Sequence, residues 1–300
     1  MAAGLRARIA LGFRSLLSNS PTGIPEWTPL IAAGDEPGLY FPNDAPWVVH
    51  GDVATLVGGI RALLVQALHP GTLAGVAQHS RYEEDFLGRL AGTIRWLTIL
   101  TFAAPSAIAA ESERVNGMHA RVRGRYTEGD GATRDYRATD PDLLLWVHAA
   151  FTDSFLAAHE AFGAGPIPGG ADEYVRLWGR SVQPLGVTNA PQSRAELQQV
   201  LADYAPVLRC DERTRRVVHF IRRAPFPLAV RPAFALLFQA AVVTLPPAYR
   251  QLLGLRTLPA PLVRPLTRAA LHVLRRVLGS TSPLEAAALQ RLARIGAPAQ

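Results

Sequence analysis

From Val53 onward, apolar residues recur at helical spacing, Pro or Gly interrupts them at short intervals, and strand alternation is nearly absent. No other feature restricts the fold as strongly. The pattern predicts helices near residues 53–68, 71–79, 84–103, 106–123, 141–162, 171–184, 193–204, 211–223, 232–244, 260–278 and 282–295, hence an all-α fold. Of the 300 residues, 49% are hydrophobic, enough for a sizeable core. Residues 18–50, rich in Pro, Gly and Asn, read as an extended arm. One stretch departs from the helical pattern: between Arg121 and Ala138, Gly124, Gly129, Asp130 and Gly131 separate short polar-aromatic pieces, as in a small hairpin. The expected organisation is an arm over 1–50, a helical core over 51–205 and a basic helical extension over 206–300.

Charge is unevenly placed. No lysine is present, so every basic residue other than histidine is arginine. Up to Tyr204 there are 16 arginines against 21 carboxylates, a net of −5; beyond it there are 15 against 3, a net of +12. The basic part lacks basic-aromatic interleaving and zinc spacings, so nucleic acid is not an expected partner. Residues 260–278 place Arg264, Arg268, His272, Arg275 and Arg276 along one side, and Val263, Leu266, Ala270, Val273, Leu274 and Val277 along another. Such a cationic amphipathic helix either covers the core with its apolar side or rests on an anionic membrane surface. A single cysteine, Cys210, excludes an internal disulfide framework and fits a reducing compartment. Arg14 interrupts the first apolar stretch before signal-peptide length, and the run from Ala233 to Pro246 is too short to span a bilayer. A cytoplasmic location with peripheral membrane contact is expected.

Several chemistries lack their residues. No histidine among His69, His79, His119, His148 and His159 follows a glutamate by three, as a di-iron bundle requires. Walker loops, Gly-x-Ser-x-Gly elbows and paired metalloprotease histidines are absent. Cys210 lacks the glycine-rich surroundings of a thiolate haem ligand and reads as a small buried side chain.

The informative residues sit on helical faces. His119 shares a stripe with Ile108, Val115, Met118 and Val122, so its imidazole should point into the core, either to satisfy a backbone group or to hold iron. Arg89 and Thr93 share a face with Phe86, Trp96, Leu97 and Leu100. A guanidinium there wants an anion, unless it pairs with Asp85 or reaches water. A third face carries Leu145, His148, Thr152, Phe155 and His159, with His159 near the helix end as a dipole partner. His69 before Pro70 and His79 before Ser80 suit capping or hinge positions.

Taken in order, His69-Pro70-x4-Gly75-Val76-x2-His79-Ser80, Arg89-Leu90-x2-Thr93, Val115-x3-His119-x4-Gly124 and Tyr136-x-Ala138-x-Asp140-Pro141-x4-Trp146-Val147-His148 resemble the MpaB-type oxygenases, the family that includes rubber oxygenase (latex clearing protein). The resemblance covers about residues 45–205. It implies a globin-like helical fold around haem b, with His119 as proximal iron ligand. Arg89 and Thr93 would lie near the distal side, and His148 would hold the pocket in shape. It further implies an oxidoreductase that acts with dioxygen on an isoprenoid or other unsaturated lipophile.

Two departures qualify this. Rubber-cleaving members place a lysine beside the distal threonine, where Gly92 stands here. They also use a glutamate upstream of the arginine, whereas this chain offers only Glu83, Glu84 and Asp85 there. Rubber-type cleavage is therefore not expected, and a haem- or lipophile-binding protein without turnover is the alternative.

Overall fold

A computed structural model describes residues 2–80, 83–127, 131–279 and 281–297. Among these, the fold is all-α with one two-stranded sheet. The helices are α1 (Ala2–Ser18), α2 (Thr28–Ala32), α3 (Ala45–Gly51), α4 (Thr55–Gln66), α5 (Pro70–His79), α6 (Phe86–Phe102), α7 (Pro105–His119), α8 (Pro141–Phe162), α9 (Gly170–Trp178), α10 (Arg194–Asp203), α11 (Glu212–Arg222), α12 (Arg231–Thr244), α13 (Pro247–Leu252), α14 (Ala260–Leu278) and α15 (Pro283–Arg294).

The centre is the pairing of α4 with α8. Gly58 makes the approach close: a Cβ there would stand 2.6 Å from the ring of Phe155. A buried ion pair spans the two helices, Arg61 Nη2 to Asp153 Oδ2 at 2.6 Å. Arg61 also donates to Ser154 Oγ at 2.8 Å and to the Thr244 carbonyl oxygen at 3.4 Å, which ties in α12. His50 of α3 joins two further helices: its ring nitrogens lie 2.9 Å from Thr101 Oγ1 of α6 and 2.9 Å from Tyr174 Oη of α9. Burial holds this imidazole neutral, with its pKa pushed down to about 3. One apolar cluster runs from Trp27 to Leu292, so the carboxy-terminal helices complete the same core as the central ones.

The arm expected over 1–50 carries α1, α2 and α3. The first helix is held by arginines at a distance in sequence: Arg6 Nε donates to the Val277 carbonyl (3.2 Å) and Arg14 Nη2 to that of Leu278 (2.6 Å). Residues 53–68, expected as one helix, form α4 only from Thr55, since α3 and α4 meet at a 94° bend. The helix expected over 171–184 divides into α9 and a 3-10 segment, Gly179–Leu185, that contains Pro184. No single helix among the described residues is long and apolar enough to cross a membrane.

The sheet lies where the hairpin was expected. Strands β1 (Arg123–Thr127) and β2 (Thr133–Arg137) pair antiparallel with Gly124 opposite Tyr136; the Gly129-Asp130 turn lies outside the described residues. The hairpin binds α5 through Gln78 Nε2, which donates to the Arg125 carbonyl (2.9 Å), and through Tyr136 Oη, which donates to Gln78 Oε1 (2.9 Å). Because β1 begins four residues after His119, this attachment also fixes the end of α7.

Candidate functional site

Helices α6 and α7 form an antiparallel hairpin turned at Ala103 and Ala104. In such a hairpin, residues equally far from the turn come together. Glu111 confirms the register, since its buried carboxylate takes Arg95 from across the hairpin (2.8 Å) and Arg114 from its own helix (2.6 Å). Although Glu111 is desolvated, hydrogen bonds from Arg114 and Arg95 outweigh the burial and hold its pKa below the usual carboxylate value. Glu111 is not among the apolar residues of the stripe that carries Ile108, Val115 and His119. Its burial depends on Arg95, sixteen residues away on another helix, and only the Glu111/Arg114 spacing hinted at it.

The same register brings Arg89, at the start of α6, toward His119, the last residue of α7. The imidazole pKa is lowered, first by burial and then by the Arg89 charge. His119 differs from expectation in one respect. Ile108 and Val115 of its stripe are buried, but Met118 is exposed, Val122 follows the helix end and His119 is half-buried. The side chain therefore stands at the rim of the core. Its Nδ1 is nonetheless buried and has no hydrogen-bond partner.

Arg89 makes no hydrogen bond or ion pair among the described residues. Asp85, its nearest carboxylate in sequence, is occupied as the α6 N-cap, accepting from the Gly88 N–H at 3.0 Å. The Arg89 side chain is accessible to solvent, yet desolvation lowers its pKa. Its apolar neighbours on α6 are partly uncovered as well. Phe86, Leu90, Trp96 and Leu97 are only half-buried, while Ile99, Leu100 and Phe102 at the far end of the helix are fully buried. Partly uncovered apolar surface thus lies beside an unpaired cation.

Thr93 stands one turn after Arg89, with Oγ1 donating to the Arg89 carbonyl oxygen at 3.2 Å. Its proton is thus committed to the helix while its lone pairs stay free, and a χ1 rotation would release the donor. His148 is buried in the core on α8. Its Nε2 is 3.5 Å from Thr152 Oγ1, and burial pushes its pKa down to about 4. No hydrogen bond or electrostatic contact among the described residues joins it to Arg89 or His119. The remaining imidazoles are structural: His69 caps α5 by accepting from Gly71 N–H (3.2 Å), His79 lies 3.0 Å from the Arg123 carbonyl, and His159 3.1 Å from that of Gly165.

Apart from one hairpin the secondary structure of the described residues is helical, and Arg89 and His119 Nδ1 are left without protein partners among them. Residues 47–278 match the family described as ER-bound oxygenase mpaB/B'/Rubber oxygenase, catalytic domain, and the chain belongs to this family of oxygenases. The match continues beyond residue 205, where the motif resemblance ends, and so includes α11 to α14. Neither a curated protein nor a solved structure matched the chain.

Proposed function

We propose that the chain is a haem-b-dependent oxygenase acting with dioxygen on a hydrophobic small molecule, in which His119 ligates the iron. The observation that carries this reading is the conjunction of a buried, unpartnered His119 Nδ1 with an unpaired Arg89 beside it. Among the described residues no three His, Cys, Asp or Glu side chains converge as a metal-ion site, so iron held by His119 needs a porphyrin for its other ligands.

Haem iron, when bound, supplies the activation of dioxygen. The chain's own residues would do the rest. Burial keeps the His119 imidazole neutral and thus fit for ligation. Arg89 would hold an anionic group, a propionate or an oxyanion, by charge-assisted hydrogen bonds. Thr93 would orient a polar atom once its hydroxyl turns from the Arg89 carbonyl. Phe86, Trp96 and Leu97 would hold the lipophile and exclude water. His148, buried and neutral, would act by keeping α8 in place.

The alternative of a carrier without turnover is favoured by one observation: Gly92 beside Thr93 offers no base, and Asp85 is spent on capping. Dioxygen uptake by haem-supplied protein, with terpenoid, quinone-tail or polyketide substrates, separates the two. Uptake that depends on substrate and falls at least tenfold in Arg89→Leu supports the oxygenase. Binding without uptake supports the carrier.

A further inference from the structure

The exposed half of α14 divides into two sectors. Val263, Thr267 and Leu271 are buried against the core. At 100° per residue, Leu262, Leu266 and Val273 fall together on the outward side with Ala269 between them, and each of the three large residues is 59% exposed. Arg276 falls beside them, and His272, Arg268 and Arg264 lie progressively further round the helix, with Arg264 on the opposite flank; all four are exposed. The core thus covers only part of the helix's apolar residues: Leu266 and Val273, which share an apolar side with Val263 and Leu274 in the sequence, face outward. Large apolar residues more than half exposed and grouped at helical spacing mark a contact surface.

The charge of this region selects the partner. Between Glu212 and Glu285 there are twelve arginines and no carboxylate. Arg275 turns inward to Asp52 at 2.7 Å, and Arg268 Nε donates to the Ala161 carbonyl at 3.0 Å. Arg264 and Arg276 make no hydrogen bond or ion pair among the described residues. At the end of α14, α1 presents exposed Arg8, Ile9 and Leu11 beside the arginine contacts that attach it. A second copy would bring this cationic surface against itself, which electrostatics opposes. An anionic lipid surface matches both sectors, since leucines enter the headgroup boundary while arginines meet phosphates.

We propose that the outward face of α14 is a monotopic docking surface for an anionic bilayer, with Leu262, Leu266 and Val273 inserting and Arg276, the arginine beside them, binding headgroup phosphates. This assignment is independent of the chemistry at Arg89 and His119.

The test is co-sedimentation of the full chain with vesicles of phosphatidylcholine alone or with phosphatidylglycerol, across a salt series. The expected result is salt-sensitive binding to the mixed vesicles. It should weaken at least about tenfold in Leu262→Ser/Leu266→Ser/Val273→Ser and severalfold in Arg276→Gln, with both variants melting like the wild type because all four positions are exposed. Equal binding by wild type and both variants overturns the proposal, as does equal binding to vesicles without anionic lipid. Sedimentation showing a dimer that the triple variant abolishes assigns the face to a second copy and overturns it equally.

Discussion

Arg89 at the start of α6 lies near enough to His119 at the end of α7 for its charge to help depress the imidazole pKa, and neither side chain has a hydrogen-bond or ion-pair partner among the described residues. An unpaired, partly desolvated cation beside a second basic group is unfavourable for the protein alone. Perturbed groups without protein partners are candidates for contact with a ligand.

That imbalance predicts opposite effects from one substitution. Arg89→Leu should stabilise the ligand-free protein by about 0.5–1 kcal/mol, a small gain because the side chain still reaches water. It should also weaken haem binding. Thermal melting of the ligand-free protein and haem titration measure the two; a loss on both counts would show Arg89 to be structural.

Glu111 should couple stability to the site. Its carboxylate sets the α6–α7 register, and Glu111→Gln removes the charge that Arg95 and Arg114 share. The expected loss is about 1–3 kcal/mol, accompanied by weaker haem binding as Arg89 and His119 lose alignment. Urea unfolding and haem titration of the same preparation check both.

Asp153→Asn should separate the two properties. It leaves Arg61 buried without its counter-charge at the centre of the α4–α8 contact, an expected loss of about 3–5 kcal/mol. Haem affinity of the molecules that remain folded should fall far less than stability, since Asp153 lies outside the α6–α7 hairpin and reaches the site only through α8. A parallel loss of affinity would contradict the placement of the site.

Acid should destabilise the fold through its buried imidazoles. His50 and His148 have native pKa values lowered from 6.5 to about 3 and about 4, so the unfolded chain binds protons that the native one excludes. Their contribution is complete above pH 6.5 and is lost as pH falls toward 4 and then 3. Each contributes a slope of about 1.4 kcal/mol per pH unit in its window. His50→Gln should flatten the stability profile between pH 6 and 4, measured by denaturant unfolding at each pH.

Much of this was legible in the sequence. Residues 141–162 and 260–278 were expected as helices and are α8 and α14 over those same bounds, because Pro near the start and Gly just after the end mark both termini. The family, the all-α class and the hairpin after His119 were also readable. Longer-range features were not. α1 depends on contacts of Arg6 and Arg14 with carbonyls more than 260 residues away, and no local pattern reports these. α7 ends at His119 instead of running to 123 because the hairpin takes over the backbone, the Ala138 N–H donating to the Val122 carbonyl at 2.9 Å. The periodicity on which His119 was placed therefore continued past the real end of the helix, and its side chain moved from the core to the rim.

The most direct test of the account is the absorption spectrum of the haem-supplied protein beside that of His119→Ala, with circular dichroism confirming equal helix content. The account predicts a Soret band in the wild type that is absent from the variant. A colourless wild type, or a band that survives unchanged in His119→Ala, would contradict it.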